Sequence, residues 1–163
     1  MTESVFIALG SNLGNRVEHL KKAVNRLSIT LGSPTQASSF YETEPWGKSE
    51  QPLFINQVIV WKSSLSPTDL LKILLDVEYE LGRTRTEKWG ARSIDLDLLY
   101  VGGQILTTPQ LQLPHPGIPD RRFVLVPLTE IAPGFVHPIL NVNHTQLLAR
   151  CKDPLMVNRI SET

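Results

Sequence analysis

The sequence predicts an α+β sandwich with a mainly antiparallel sheet, and three observations carry that expectation. Stretches in which apolar residues alternate are interleaved with stretches in which they recur every three to four positions, so strands and helices share one core. The Gly102-Gly103 pair separates two apolar runs, which implies a hairpin and favours antiparallel pairing over a doubly wound parallel sheet. The chain of 163 residues fits one domain, 1–163, with a proper interior, and no internal repeat or low-complexity tract suggests a second.

Taken in order, residues 4–9 form a short buried strand and Gly10-Ser11-Asn12-Leu13-Gly14-Asn15 turns the chain. A helix follows over 16–31, where Leu20, Ala23, Val24, Leu27 and Leu31 make one stripe and Gly32-Ser33-Pro34 stops it. Residues 35–43 alternate loosely as a strand, and the breaker-rich stretch 44–52 reads as an excursion loop. Over 53–63 a second clear strand sets Phe54, Asn56, Val58 and Val60 on one face and Ile55, Gln57, Ile59 and Trp61 on the other. Ser66-Pro67-Thr68-Asp69 opens a helix with a cap, a first-position proline and an acid three residues past the cap. Leu70, Ile73, Leu74, Val77 and Leu81 are its buried stripe, Glu78 reads as a solvated flank, and Gly82 takes the left-handed end.

A strand over 93–100 comes next, and Gly102-Gly103 turns it toward a return strand at 104–106. Prolines make Leu113-Pro114-His115-Pro116-Gly117-Ile118-Pro119 an irregular surface loop. Short helical pieces run from Asp120 to Ile131, broken at Pro127, and a last amphipathic turn or two covers 145–151.

Charge and composition exclude several functions. Sixteen Lys and Arg balance sixteen Asp and Glu, so no global field favours nucleic acid or an anionic membrane, and any anion site is local. No segment approaches the ~20 apolar residues of a membrane span, and the amino terminus lacks a secretory pattern, so a cytosolic protein is expected. The single cysteine, Cys151, forms no internal disulfide, and the scattered histidines lack zinc-ligand spacing.

The chemistry concentrates where a basic loop feeds the strand at 93–100. Alternation sets Ile94, Leu96, Leu98 and Tyr100 on one face and Ser93, Asp95, Asp97 and Leu99 on the other, with the aspartates roughly 7 Å apart. Two ionised carboxylates on one face call for a cation. Magnesium suits them, because it takes one or two carboxylates plus substrate phosphates, and the arginines of the loop would grip those phosphates. Structural ion pairing with Arg83, Arg85 or Arg92 is the other reading. No Gly-x-x-x-x-Gly-Lys-Ser/Thr loop is present, so side chains and metal must hold any nucleotide. His115, pinned between prolines, either donates to phosphate or faces solvent. Trp46 and Trp89 either fold onto the core or cover a planar ligand, and Phe54 and Phe123 either pack in the core or stack on a ring that Asn56 addresses.

Several landmarks act together: 8–14 at the first turn, Phe54-Ile55-Asn56, the segment 82–97 with its Trp-Gly-x-Arg-x-x-Asp-x-Asp core, Pro114-His115-Pro116, and Arg121-Arg122-Phe123-Val124-Leu125. With these the chain resembles, over nearly its whole length, the 6-hydroxymethyl-7,8-dihydropterin pyrophosphokinases of folate biosynthesis. The resemblance implies a ferredoxin-like α/β sandwich that transfers the β,γ-pyrophosphoryl group of ATP to the pterin hydroxymethyl oxygen and releases AMP. By matching position it implies Asp95 and Asp97 as ligands of two magnesium ions, with Arg83 and Arg92 as clamps on the transferring group. Glu78, Arg85, Trp89, Ile94, Leu98, His115 and Arg121 then fall on the ATP side, with Trp89 as part of a lid. Gly10, Thr43, Glu44, Trp46, Phe54, Asn56 and Phe123 fall on the pterin side, the two phenylalanines sandwiching the ring. The expected partners are these two small substrates alone, with no nucleic acid and no membrane, for a monomer in the cytoplasm. An RNA-binding module of the same fold is disfavoured by the neutral charge. A metal-dependent phosphodiesterase would explain the aspartates but leave Phe54, Asn56 and Phe123 idle.

Overall fold

The computed structural model describes residues 1–47, 50–82 and 93–161. In order it contains β1 (Glu3–Ser11), α1 (Arg16–Leu31), β2 (Gln36–Ala37), β3 (Phe40–Thr43), β4 (Phe54–Ser63), α2 (Pro67–Glu80), β5 (Asp95–Val101), β6 (Leu106–Thr107) and β7 (Gln112–Leu113). A single 3-10 turn at Ile118–Asp120 leads into α3 (Arg122–Ile131), α4 (His144–Arg150) and β8 (Val157–Ile160).

The helices start where their caps require. Asn15 accepts from the Glu18 N–H at 3.2 Å and Ser66 Oγ from the Asp69 N–H at 3.1 Å, while Gly82 ends α2 at φ +85°. The expected break at Pro127 does not occur: α3 runs unbroken through it. One missing N–H leaves the remaining ladder intact, and Val124, Leu125 and Leu128 anchor the helix to the sheet.

The principal sheet has the order β5-β1-β4-β3-β8 with β2 also on β4, and every pairing in it is antiparallel. The antiparallel α+β expectation therefore holds, although the hairpin that suggested it lies elsewhere. β5 returns to β1, and the Gly102 N–H continues that ladder to Ser4 O at 2.8 Å before the chain leaves the sheet. The short hairpin forms one step later, between β6 and β7. The expected strand at 35–43 is divided at Ser38 and Ser39, where Ser38 Oγ accepts from the Val58 N–H at 2.9 Å. β8 is absent from the sequence expectation because its four residues, two polar ones between two apolar ones on a sheet edge, carry no alternation signal.

Side-chain alternation gives the sheet two apolar faces. Val5, Ile7, Leu9, Ile55, Ile59, Trp61, Leu96 and Leu98 pack under α1 and α2 against Leu20, Leu27, Leu70 and Leu74. Each such fully buried aliphatic contributes about 1.5–3 kcal/mol. On the opposite face Phe6, Val58, Val60, Leu99 and Tyr100 meet α3 and α4 through Val124, Leu125, Leu128 and Leu147. Tyr100 was expected beside Leu98. A register shift between Phe6 and Ile7 makes Leu99 an extra residue in β5, so Tyr100 joins Leu99 and Phe6 instead. That second face is roofed by α3 and α4 over its Phe6 end, and the site lies at its other end.

Candidate active site

Pairing across the sheet sets the site's floor. Gly10 of β1 lies opposite Asn56 of β4 on one side and Asp95 of β5 on the other, Ala8 lies opposite Asp97, and Phe54 lies opposite Thr43. Directly paired residues share a face, so Asn56 and the two aspartates flank the bare backbone of β1. The glycine is needed there: a Cβ on Gly10 would stand 2.6 Å from Asn56 Oδ1. Asn56 Nδ2 donates to the Thr43 hydroxyl at 2.6 Å, which fixes the amide and turns its oxygen toward Gly10.

The walls come from loops. The turn after β1 is a strand-to-helix connection that also braces the excursion loop. Buried Asn12 donates to Gln51 Oε1 at 3.1 Å and to Pro52 O at 3.2 Å, and Arg16 donates to Leu53 O at 2.9 Å. Trp46 and Glu44 project from that loop. The Glu44 carboxylate accepts from the Met156 N–H at 2.6 Å, tying the loop to the stretch before β8. Opposite, Asp153 accepts from the Arg122 N–H at 3.0 Å and fixes the start of α3, which sets Arg121 and Phe123 at the cavity. Thr43, Glu44, Trp46, Phe54, Asn56, Asp95, Asp97, Arg121 and Phe123 line this one cavity. Six of the seven residues expected on the pterin side line it, and the seventh, Gly10, lies against Asn56 and Phe54.

A second groove of about 260 Å³ begins on the other side of Asp97. It runs between α2 (Leu71, Leu75), the outer edge of β5 and the β6–β7 hairpin (Thr108, Gln110), and it is bounded by His115. Asp97 lines both cavities. The groove's helix and hairpin residues escaped the sequence reading. Its one available signal was the doubling of the α2 stripe at Leu70-Leu71 and Leu74-Leu75, which leaves Leu75 44 % exposed. A larger groove of about 840 Å³ between α1 and the β3–β8 edge contains none of the expected site residues.

His115 is anchored to β5 by its own N–H on Leu99 O at 2.9 Å. Its Nδ1 accepts from the Gly117 N–H at 3.0 Å, so in the neutral ring Nε2 carries the proton and is the donor. Burial, reinforced by the Arg121 cation and opposed by Asp95, pushes its pKa down to about 4.

One expectation changes. Glu78 is no solvated flank: it is 3 % exposed, and its Oε2 accepts from the Leu96 N–H at 2.8 Å, on the residue between the two aspartates. Ile94 and Leu98, expected on the ATP side, have side chains buried in the α1–α2 core, and Leu98 also lines the second groove. Arg83, Arg85, Trp89 and Arg92 lie outside the described residues.

The donor chemistry fits magnesium. Asp95 and Asp97 are half-buried oxygen donors on one face, and among the described residues no cluster of three or more His, Cys, Asp or Glu completes a protein-only metal cage. Phosphates and water would supply the remaining ligands. An acidic pair in an aromatic, amide-bearing slot, with one of its two carboxylates also lining a second groove, is a layout that suits a metal-assisted phosphoryl-group transferase.

Comparison with known proteins narrows that class. The profile of the 7,8-dihydro-6-hydroxymethylpterin-pyrophosphokinase (HPPK) family matches residues 6–133, and the chain belongs to that family. It is 44% identical over 135 residues to the 2-amino-4-hydroxy-6-hydroxymethyldihydropteridine pyrophosphokinase of Bacillus subtilis, covering 80% of this chain and 79% of that protein. With the enzyme of the same name from Haemophilus influenzae it shares 41% over 157 residues, 94% of this chain and 96% of the other. The crystal structure of wild-type Plasmodium falciparum HPPK-DHPS superposes with a TM-score of 0.73 at 16% identity, covering 92% of this chain. This chain spans 45% of that one, and the likeness is one of fold.

Proposed function

We propose that this protein transfers the β,γ-pyrophosphoryl group of ATP to the hydroxymethyl oxygen of 6-hydroxymethyl-7,8-dihydropterin, giving the pterin diphosphate and AMP for tetrahydrofolate biosynthesis. The observation that carries this reading is that Asp97 lines both the aromatic slot and the second groove, so acceptor and donor molecules would meet at one carboxylate. Membership of the pyrophosphokinase family supports the same reaction.

The pterin ring lies between Phe54 and Phe123 under Trp46, and the Asn56 amide oxygen, held by Thr43, accepts from a ring N–H or amino group. ATP lies along the groove, with its triphosphate toward the aspartates. Asp95 and Asp97 would hold two magnesium ions together with the phosphates. When bound, the metal neutralises phosphate charge and lowers the pKa of the attacking hydroxyl. The chain's own part is positioning and charge. His115 offers its Nε2–H to a phosphate oxygen, and Arg121 places a cation beside the same group. By their place in the sequence motif, Arg83 and Arg92 clamp the transferring group, Arg85 contacts ATP, and Trp89 covers it.

The chain acts as a single-domain monomer in the cytoplasm, and among its described residues no helix is long and apolar enough to cross a membrane. Incubating the protein with ATP, magnesium and the pterin and separating the nucleotides tests the reaction. AMP formed only with pterin present is the expected result. ADP, or no pterin-dependent product, would sink it.

A further inference from the structure

The aromatic slot is filled by one of its own side chains. The Arg121 guanidinium carbon lies 5.7 Å from the centroid of Trp46 and 6.0 Å from that of Phe123, over both rings, and Arg121 lines the same cavity as they do. The free space beside it is about 60 Å³, well below the roughly 300 Å³ at which pockets for small ligands begin. A ring stacked on those faces and the guanidinium therefore compete for the same surface.

Gly117 is what lets the arginine lie there. A Cβ on Gly117 would stand 2.7 Å from Arg121 Nε and 2.8 Å from its Cζ, so the side chain crosses the glycine in direct backbone contact. Conformational freedom is not the reason for a glycine at this position, because φ −81° and ψ −8° suit any residue. Its N–H, which donates to His115 Nδ1 at 3.0 Å, would survive substitution by alanine. The missing side chain is thus spent on the arginine.

We propose that Gly117 is a positioning residue that seats Arg121 on the Trp46 and Phe123 rings, and that a pterin must displace this guanidinium to enter. The proposal takes the pterin-slot assignment above as its starting point. The seated arginine keeps the aromatic faces covered and holds a cation beside Asp95, Asp97 and His115, which line or border the same space. It also makes the slot selective, since a ring must stack better than a guanidinium does.

Gly117→Ala tests this, because the clash falls on a flexible side chain and leaves the backbone as it is. Two readouts are taken: the Arg121 Nε–H resonance, displaced by ring currents in the parent protein, and pterin affinity by calorimetry without nucleotide. In Gly117→Ala the resonance moves toward the ordinary arginine position and pterin binds about fivefold more tightly, the worth of one cation–π contact. In an Arg121→Ala background the Gly117 substitution changes affinity no further. An unmoved resonance, or pterin affinity unchanged or weakened in the single variant, overturns the proposal. Should pterin bind neither protein, even with magnesium and a non-hydrolysable ATP analogue, the substrate assignment fails, while the resonance still decides whether Gly117 seats Arg121.

Discussion

Asp97 and Gly10 are the two residues whose substitution separates chemistry from recognition. Asp97 lines both cavities, so Asp97→Ala should cut turnover by about a thousandfold or more while circular dichroism and melting temperature stay near the parent's. Turnover within tenfold of the parent would remove Asp97 from the catalytic set. Gly10→Ala acts on the other substrate. Its Cβ would meet Asn56 Oδ1 at 2.6 Å and push the amide off its Thr43 hydrogen bond, raising the KM for pterin about tenfold with little change in the KM for ATP. Equal rises in both constants would mean a general loss of structure. Sequence alone showed that Asp95 and Asp97 share a face and that Asn56 is the odd polar residue of its own, because both follow from strand periodicity. It could not show that Gly10 lies between them, since that depends on which strands pair.

At the scale of elements, the site rests on β5, which among the described residues is an edge strand with one neighbour, β1. α2 supplies support on the open side through Glu78, whose buried carboxylate accepts the Leu96 N–H between the two aspartates. Helix periodicity located Glu78 on α2 but not its partner, which comes from another element. Glu78→Ala leaves that N–H without its acceptor and is expected to cost about 1–3 kcal/mol in urea unfolding, together with a fall in turnover as β5 loosens. Glu78→Gln, which keeps an acceptor oxygen, should retain most of both. If Glu78→Ala unfolds at the parent's urea midpoint, the clamp contributes nothing. The bulge at Leu99 likewise stayed hidden in a clean alternating run and moved Tyr100 to the α3–α4 face.

For the whole molecule, the layer of α3 and α4 closes over a buried imidazole. His144 is fully buried, with Nδ1 donating to Ala132 O at 2.7 Å, so Nε2 accepts from the Tyr100 hydroxyl at 3.0 Å. Burial is the largest influence on His144 and pushes its pKa down to about 4, while His115 falls to about 4 and His137 is lowered, both chiefly by burial. A depressed histidine pKa means that the unfolded chain binds the proton more readily. The stability is therefore fully present above the unfolded value near 6.5 and is lost as pH falls through about 4. For His144 alone this amounts to about 3 kcal/mol between pH 7 and pH 4. His144→Gln removes this share of the acid sensitivity, and urea unfolding of both proteins across that range should show the difference. Identical pH slopes would refute it.

The sequence by itself determined what is local: the alternation that puts two carboxylates on one strand face, the apolar stripes of α1 and α2, and the caps at Ser66 and Gly82. It also determined the motif that identifies the family. Tertiary structure alone decided that Gly10 separates Asn56 from Asp95, that Glu78 clamps β5, that Asp97 borders two cavities, and that Gly117 carries the Arg121 side chain. The physical reason is that periodicity and capping are written in neighbours a few residues apart. Register and partner choice come from hydrogen bonding and packing between segments distant in the chain, and no local pattern records them.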